Sequence, residues 1–210
     1  MMMVFLMPVP PYLATIALSY LLGSVPFGYL LVRLVRGEDV RSSGSGNIGA
    51  TNVARRSPVL GVLTLLLDAA KGFVAVMLAR LSFPGPQQEW MMTVAAVCAV
   101  LGHMYPAWLR FRGGKGVATG LGSLALVAPK SVLCAIGIFL VIVAAFRYVS
   151  LASVVAALSL PVLAWALREY IDVRQLMILA TLSALIFWKH RPNLTRLFSG
   201  TEPKIGARHS

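Results

Sequence analysis

The sequence predicts an all-α integral membrane protein, a seven-span helical bundle that includes a short or re-entrant helix. Of its 210 residues, 58% are hydrophobic and only 12% are charged, well below the charged share of a soluble domain, about a quarter. Several apolar runs approach or exceed the roughly 20 residues that cross a hydrocarbon core. The net charge of +12 lies in short loops between those runs, which suits anionic lipid or a phosphorylated substrate and not nucleic acid. Cys98 and Cys134 fall inside apolar segments, where cysteine acts as a small hydrophobe and not as a disulfide or metal ligand. No metal or cofactor is expected.

Residues 1–32 carry no charge and so lack the basic n-region of a cleavable signal peptide. The first run, residues 10–32, is therefore expected to be a retained span, closed by Arg33 and Arg36. A loop at 36–58, rich in Gly, Ser, Asn and Arg, leads to a second run at 59–81. An outer turn at 82–89 with Pro84, Gly85 and Pro86 precedes a third run at 90–109 and a Gly-rich basic loop at 110–116. Apolar character then continues from 117 to 167, divided by Pro129 and Lys130 and by a turn at 147–150. The first piece, 117–128, makes a helix of about 18 Å, too short to cross a core of about 30 Å by itself, and is expected to be a short, tilted or re-entrant helix. A polar turn at 168–174, a last run at 175–188 and a tail from Lys189 complete the chain, which reads over 1–210 as one membrane-embedded domain without internal repeats.

With the N-terminus outside, seven spans place Arg33, Arg36, Arg41, Arg55, Arg56, Arg110, Arg112, Lys115, Arg147, Lys189, Arg191, Arg196, Lys204 and Arg208 on one side. The other side receives Arg80, Lys130, Arg168 and Arg174, so the basic side is expected to be cytoplasmic. Trp90, Trp108, Trp165 and Trp188 fall near predicted helix ends, as an aromatic belt requires. A five-span variant, with no net crossing in 117–149, is the alternative topology.

The chemistry-bearing residues sit in the inner segments. In Ser42-Ser43-Gly44-Ser45-Gly46-Asn47-Ile48-Gly49-Ala50-Thr51-Asn52-Val53-Ala54-Arg55 the glycines permit close backbone approach. Ser45, Asn47, Thr51 and Asn52 offer hydrogen bonds, and Arg55 a forked cation. A plain linker would explain the glycines but not this set beside a helix start. The second loop surrounds Lys115 with Gly113, Gly114 and Gly116; it has the physics of a P-loop without the Walker spacing, and a plain positive-inside turn is the other reading. His103 near the end of the third run is either a helix-to-helix hydrogen-bonding group or part of a site. Asp68 and Lys71 form an i, i+3 pair inside the second run, suited to mutual neutralisation within the bundle. The tail carries His190 and Asn193 beside Lys189 and Arg191, which a stop-transfer flank alone does not explain. A carrier for an organic phosphate is the rival class, disfavoured because carriers bind near the midplane between repeats.

In order, GSGNIGATN, DAAKG, GHMYP with FRGGKGVATG, RYVSLAS and WKHRPNLTRL resemble the bacterial membrane-bound acyl-phosphate:glycerol-3-phosphate acyltransferase family. The resemblance implies short horizontal or re-entrant helices at the cytoplasmic face of a seven-span bundle in the inner membrane. It implies that Ser45, Arg55, Lys115 and Asn193 hold glycerol 3-phosphate, with His190 next to the reacting groups, together with a serine that is Ser150 or Ser153. Gly49, Ala50, Thr51, Gly113, Gly114 and Lys115 would line the acyl-phosphate pocket, supported by Asn47, Asn52, Asp68, Lys71 and His103. The partners implied are glycerol 3-phosphate, acyl phosphate, the lipid bilayer and an acyl-phosphate-forming enzyme that supplies the donor. Acyl coenzyme A is not the expected donor. No loop is large enough to hold its adenosine end, and no Asp follows a His at the five-residue spacing of the soluble-faced acyltransferases, since Trp108 occupies that place after His103.

Overall fold

The computed structural model describes residues 10–206, whose regular structure is helical. The segment 1–9, where the reading of a retained uncharged N-terminus begins, and 207–210, with Arg208, lie outside the described residues.

The first apolar run, expected as one span over 10–32, is two helices, α1 (Pro11–Ser24) and α2 (Phe27–Arg36). Pro26 has no N–H for the helical ladder and drives Val25 out of the helical region, to ψ 117°. The break leaves the Val25 carbonyl free of α1, inside the single apolar stretch Pro11–Arg36. The polar loop contains the short α3 (Ala50–Ala54). Ser57 caps α4 (Pro58–Ser82) by accepting the Leu60 N–H, with Pro58 at the first helical position. Then follow α5 (Gln88–Met104), a 3-10 turn at Ala107–Leu109, α6 (Val117–Val127), α7 (Pro129–Phe146), α8 (Val149–Ala166), α9 (Val173–Lys189) and α10 (Arg191–Phe198). The α7 and α8 starts match the predicted divisions, and Asp172 caps α9 by accepting from the Arg174 and Gln175 amides.

Five stretches are long and apolar enough to cross a membrane: Pro11–Arg36, Pro58–Ser82, Gln88–Leu109, Pro129–Phe146 and Val149–Ala166. The helices α6 and α9 are shorter, at 11 and 17 residues. The connections sort to two ends of the bundle. At one end Arg147 bonds Ile205, Asn193 bonds Glu202, and Lys189 Nζ donates to Met104 O. At the other, Gln88 donates to Arg80 O, Glu169 receives the Lys130 and Ser131 amides, and Gln175 donates to Thr93.

Lipid tails are as apolar as leucine, so membrane helices associate through close packing of small residues. Gly23 of α1 meets the Ala99 backbone of α5, and Gly72 of α4 meets the Thr119 carbonyl of α6; a Cβ at either would strike main chain. Where α4, α5, α6 and α9 converge, Val76, Met92, Val100, Met104, Leu124 and Leu179 form the buried core. The bundle therefore holds α6 by its neighbours although it is too short to span alone.

Candidate active site

The first loop folds around one side chain. Asn52, buried in α3, shares its two Nδ2 hydrogens among the carbonyls of Val40 at 3.0 Å, Ser43 at 3.2 Å and Asn47 at 2.8 Å, and its Oδ1 accepts the Ser45 amide at 2.9 Å. Gly44 and Gly46 adopt φ of 60° and 66° to let the chain turn there. Asn47 Oδ1 takes the Gly49 N–H at 2.9 Å, so Gly49 contributes shape and not a donor. The exposed Ser45 hydroxyl and the amides of Ala50 and Thr51 at the start of α3 remain to meet a ligand. Arg55 follows, half-buried; burial lowers its guanidinium pKa, with Glu202 opposing and Arg196 adding to the effect.

The second loop hangs from the C-terminus of α5. Gly113 N donates to Met104 O at 3.2 Å and Gly114 N to His103 O at 3.0 Å, so these amides also give shape. Gly114 lies against the His103 ring so closely that a Cβ would overlap Nε2. Gly116, at φ 85°, turns the chain into α6, whose first amides have no intrahelical acceptor and favour an anion. Lys115 precedes them. Burial brings its pKa down to about 8, with Arg196 and Arg55 adding to the fall and Glu202 opposing it.

Beneath this loop lies the predicted Asp68–Lys71 pair, 2.7 Å apart. The structure adds two partners from other parts of the chain. Lys71 Nζ stands 3.0 Å from His103 Nδ1 and donates to Val25 O at 2.7 Å, the carbonyl released by the α1/α2 break. All three side chains are almost fully buried. The DAAKG and GHMYP motifs thus form one polar cluster supporting the glycine loop from inside the bundle.

The third contributor is the junction of α9 and α10. His190 Nδ1 is 2.8 Å from Ile186 O. A carbonyl only accepts, so Nδ1 carries the hydrogen and Nε2 keeps its lone pair. Burial, with help from Lys115, takes the His190 pKa down to about 4, so the ring is neutral at physiological pH. Asn193, one turn on, is buried and donates Nδ2 to Glu202 Oε1 at 2.7 Å, while Arg196 Nε meets Oε2 at 2.8 Å. Burial acts to raise the Glu202 pKa, but the Asn193 bond, the nearby Ser150 hydroxyl and Arg196 outweigh it and hold the carboxyl below its usual value. Ser150 and Ser153 both lie buried in the first two turns of α8. Ser150 Oγ has no hydrogen bond of ordinary geometry although it faces Glu202. Glu202 is not among the residues expected from the sequence; its position as an acid within a basic tail is the available signal.

Three segments far apart in the chain thus bring Arg55, Lys115, Arg196, His190, Asn193 and Glu202 within electrostatic reach of one another. An apolar helical bundle with a cationic, glycine-walled site at one end defines an integral membrane protein built to handle a phosphate-bearing ligand. Comparison with known proteins gives this class its family. Residues 13–200 match the family model described as glycerol-3-phosphate acyltransferase. The glycerol-3-phosphate acyltransferase of a Synechococcus species is 45% identical over 198 residues, covering 92% of this chain and 95% of that protein. The Bordetella pertussis protein of the same name is 44% identical, covering 92% and 91%. The crystal structure of PlsY, an integral membrane glycerol 3-phosphate acyltransferase, in its glycerol 3-phosphate form, superposes with a TM-score of 0.86 at 40% identity, covering 94% of this chain and 96% of that one. Its lysophosphatidic acid form gives 0.82 at 38% identity, with the same coverage. The chain belongs to the glycerol-3-phosphate acyltransferase family.

Proposed function

We propose that this enzyme transfers a fatty acyl group from acyl phosphate to the 1-hydroxyl of glycerol 3-phosphate, releasing lysophosphatidic acid and inorganic phosphate. The convergence of Arg55, Lys115, His190 and Asn193 at one end of the apolar bundle carries the reading. Two phosphates must approach each other, so neutralising charge and orienting the reactants are the main requirements. Arg55, Lys115 and Ser45 receive the glycerol 3-phosphate phosphate. Ala50, Thr51 and Lys115, with the first amides of α6, receive that of the donor, and the glycines Gly49, Gly113 and Gly114 give it room. The hydroxyl oxygen attacks the acyl carbonyl, the carbonyl–phosphate C–O bond breaks, and the hydroxyl proton passes to a phosphate oxygen. His190, neutral and with Nε2 unprotonated, positions the reacting groups; a ring with a pKa of about 4 is a weak base at neutral pH.

The two-ended sorting of the connections supports seven crossings, with α6 and α9 among them and 1–210 forming one domain. The excess of basic residues at the site end supports a cytoplasmic active site in the bacterial inner membrane with the N-terminus outside. An acyl-phosphate-forming enzyme would supply the donor. The decisive assay gives purified protein palmitoyl phosphate and labelled glycerol 3-phosphate, with palmitoyl coenzyme A in a parallel arm. Lysophosphatidic acid from the first and little from the second is expected; equal rates from the thioester would overturn the donor assignment.

A further inference from the structure

The only carboxylate among the described residues that reaches into this cationic site is Glu202, and its placement is over-determined. The Thr201 and Glu202 amides donate to Arg196 O at 2.8 and 3.1 Å. Further on, Ile205 N donates to Arg147 O at 2.9 Å, and the Arg147 guanidinium returns to Ile205 O at 2.6 and 3.1 Å. Residues 201–205 therefore form a strap tied both to α10 and to the α7–α8 turn. The strap holds the Glu202 side chain at 4% exposure against Asn193.

A carboxylate can only accept, so the Asn193 group facing it must be the amide NH₂. The amide is planar, and committing Nδ2 to Glu202 points Oδ1 the other way. Among the described residues nothing donates to Oδ1. Unlike the Thr119 and Ser150 hydroxyls, it is not a sealed polar atom without a partner. An acceptor oxygen repels a phosphate oxygen and attracts an O–H.

We propose that Asn193 receives the attacking hydroxyl of glycerol 3-phosphate, not its phosphate, and that Glu202 is a positioning residue that sets this role by fixing the amide. The assignment rests on the acyl-transfer reading given above. It divides the expected glycerol 3-phosphate ligands into two groups. Arg55, Lys115 and Ser45 take the phosphate, and Asn193 orients the nucleophile for attack. Glu202 meets the substrate through Asn193, and its charge also acts on Arg55 and Lys115; the exchange below keeps that charge in the site and so isolates the effect on orientation.

Exchanging the pair tests this. In the double variant, Asn193→Asp with Glu202→Gln, the amide introduced at position 202 donates to one oxygen of the carboxylate introduced at position 193, and its carbonyl still accepts from Arg196. The other oxygen of that carboxylate stays an acceptor facing the substrate, and net charge is unchanged. Asn193→Asp alone sets two carboxylates together, and kcat should fall by about a hundredfold; Glu202→Gln alone lets the amide turn, with a fall of about tenfold. The double variant should recover about tenfold or more over Asn193→Asp, with KM for glycerol 3-phosphate within about threefold of wild type. A double variant that melts like wild type but is no more active than Asn193→Asp overturns the proposal. Should the exchange fail to fold, Asn193→Ala decides. Loss of kcat at nearly constant KM supports the hydroxyl role, and a raised KM with kcat retained overturns it. Wild type inactive with palmitoyl phosphate would instead refute the donor reading, so the two failures are distinguishable.

Discussion

Replacing Gly114 by alanine puts the packing of the glycine loop to the test. A Cβ at this position would overlap Nε2 of His103, and ordinary carbon–nitrogen contact requires more than about 3 Å. His103 cannot swing away, because its Nδ1 is 3.0 Å from Lys71 Nζ, which is itself held by Asp68 and by Val25 O at 2.7 Å each. The loop must therefore move, by about an ångström, and Lys115 with it. Misplacement on that scale costs about a hundredfold in rate, equivalent to about 2.7 kcal/mol of transition-state stabilisation. The assay is the initial rate of lysophosphatidic acid formation from palmitoyl phosphate, with thermal unfolding as the control for folding. We expect kcat/KM to fall at least tenfold in Gly114→Ala with the melting temperature within a few degrees of wild type. We also expect His103→Ala in the same background to cost less than it does alone, since it removes the obstruction. Activity of Gly114→Ala within twofold of wild type would refute the reasoning, because it would mean that the loop position is unimportant or that the ring moves freely.

Arg55→Ala and Lys115→Ala each remove a charge-assisted contact worth about 1.5 to 3 kcal/mol, so kcat/KM should fall about tenfold to a hundredfold in each; near-normal rates in both would discard the phosphate assignment. With a free-enzyme pKa of about 8, Lys115 is charged below that pH and neutral above it. The kcat/KM for acyl phosphate should accordingly decline as pH rises through this value, and Lys115→Arg should move the decline upward. Any acid limb near pH 6 belongs to the second ionisation of the substrate phosphate, about 6, and should survive in His190→Gln; its disappearance would make His190 the general base. Asp68→Asn leaves Lys71 buried without its counter-charge and should destabilise the protein by about 3 to 5 kcal/mol, whereas Asp68→Leu with Lys71→Met should recover most of that loss, both read by thermal unfolding in detergent. Single cysteines at Ser43 and Thr201, with Cys98 and Cys134 replaced, should be labelled from the cytoplasmic side and one at Gln87 from outside; periplasmic labelling of Ser43 would reject the proposed orientation.

The membrane class, the apolar runs and the three basic segments at the site end were legible because they depend on local composition. A run of apolar residues must be helical in lipid, where every backbone group needs an internal partner, and the divisions near 129 and 147–150 are marked by Pro129 and the Arg147-containing turn. The break at Val25–Pro26 was written in the sequence as well, yet the continuity of apolar character hid it. Asp68 and Lys71 were identified as a pair by their spacing on one helix. That His103 and the Val25 carbonyl complete the cluster could not be read, since both come from other helices.

The candidate site divides along the same line. Residue types suited to phosphate, in Gly-rich basic loops, are properties of short segments, and the sequence alone marked Arg55, Lys115, His190 and Asn193 as candidates. It could not determine which backbone amides are free, because the Gly49, Gly113 and Gly114 N–H groups are taken by Asn47, Met104 and His103 through turns that exist only in the folded chain. Nor could it place Glu202, which a strap tied to Arg196 and Arg147 carries into contact with Asn193. Composition decides where a segment resides relative to lipid and water, since that depends on the transfer energy of its own side chains. Which donor meets which acceptor depends on the crossing of helices distant in sequence, and only the tertiary structure decided that.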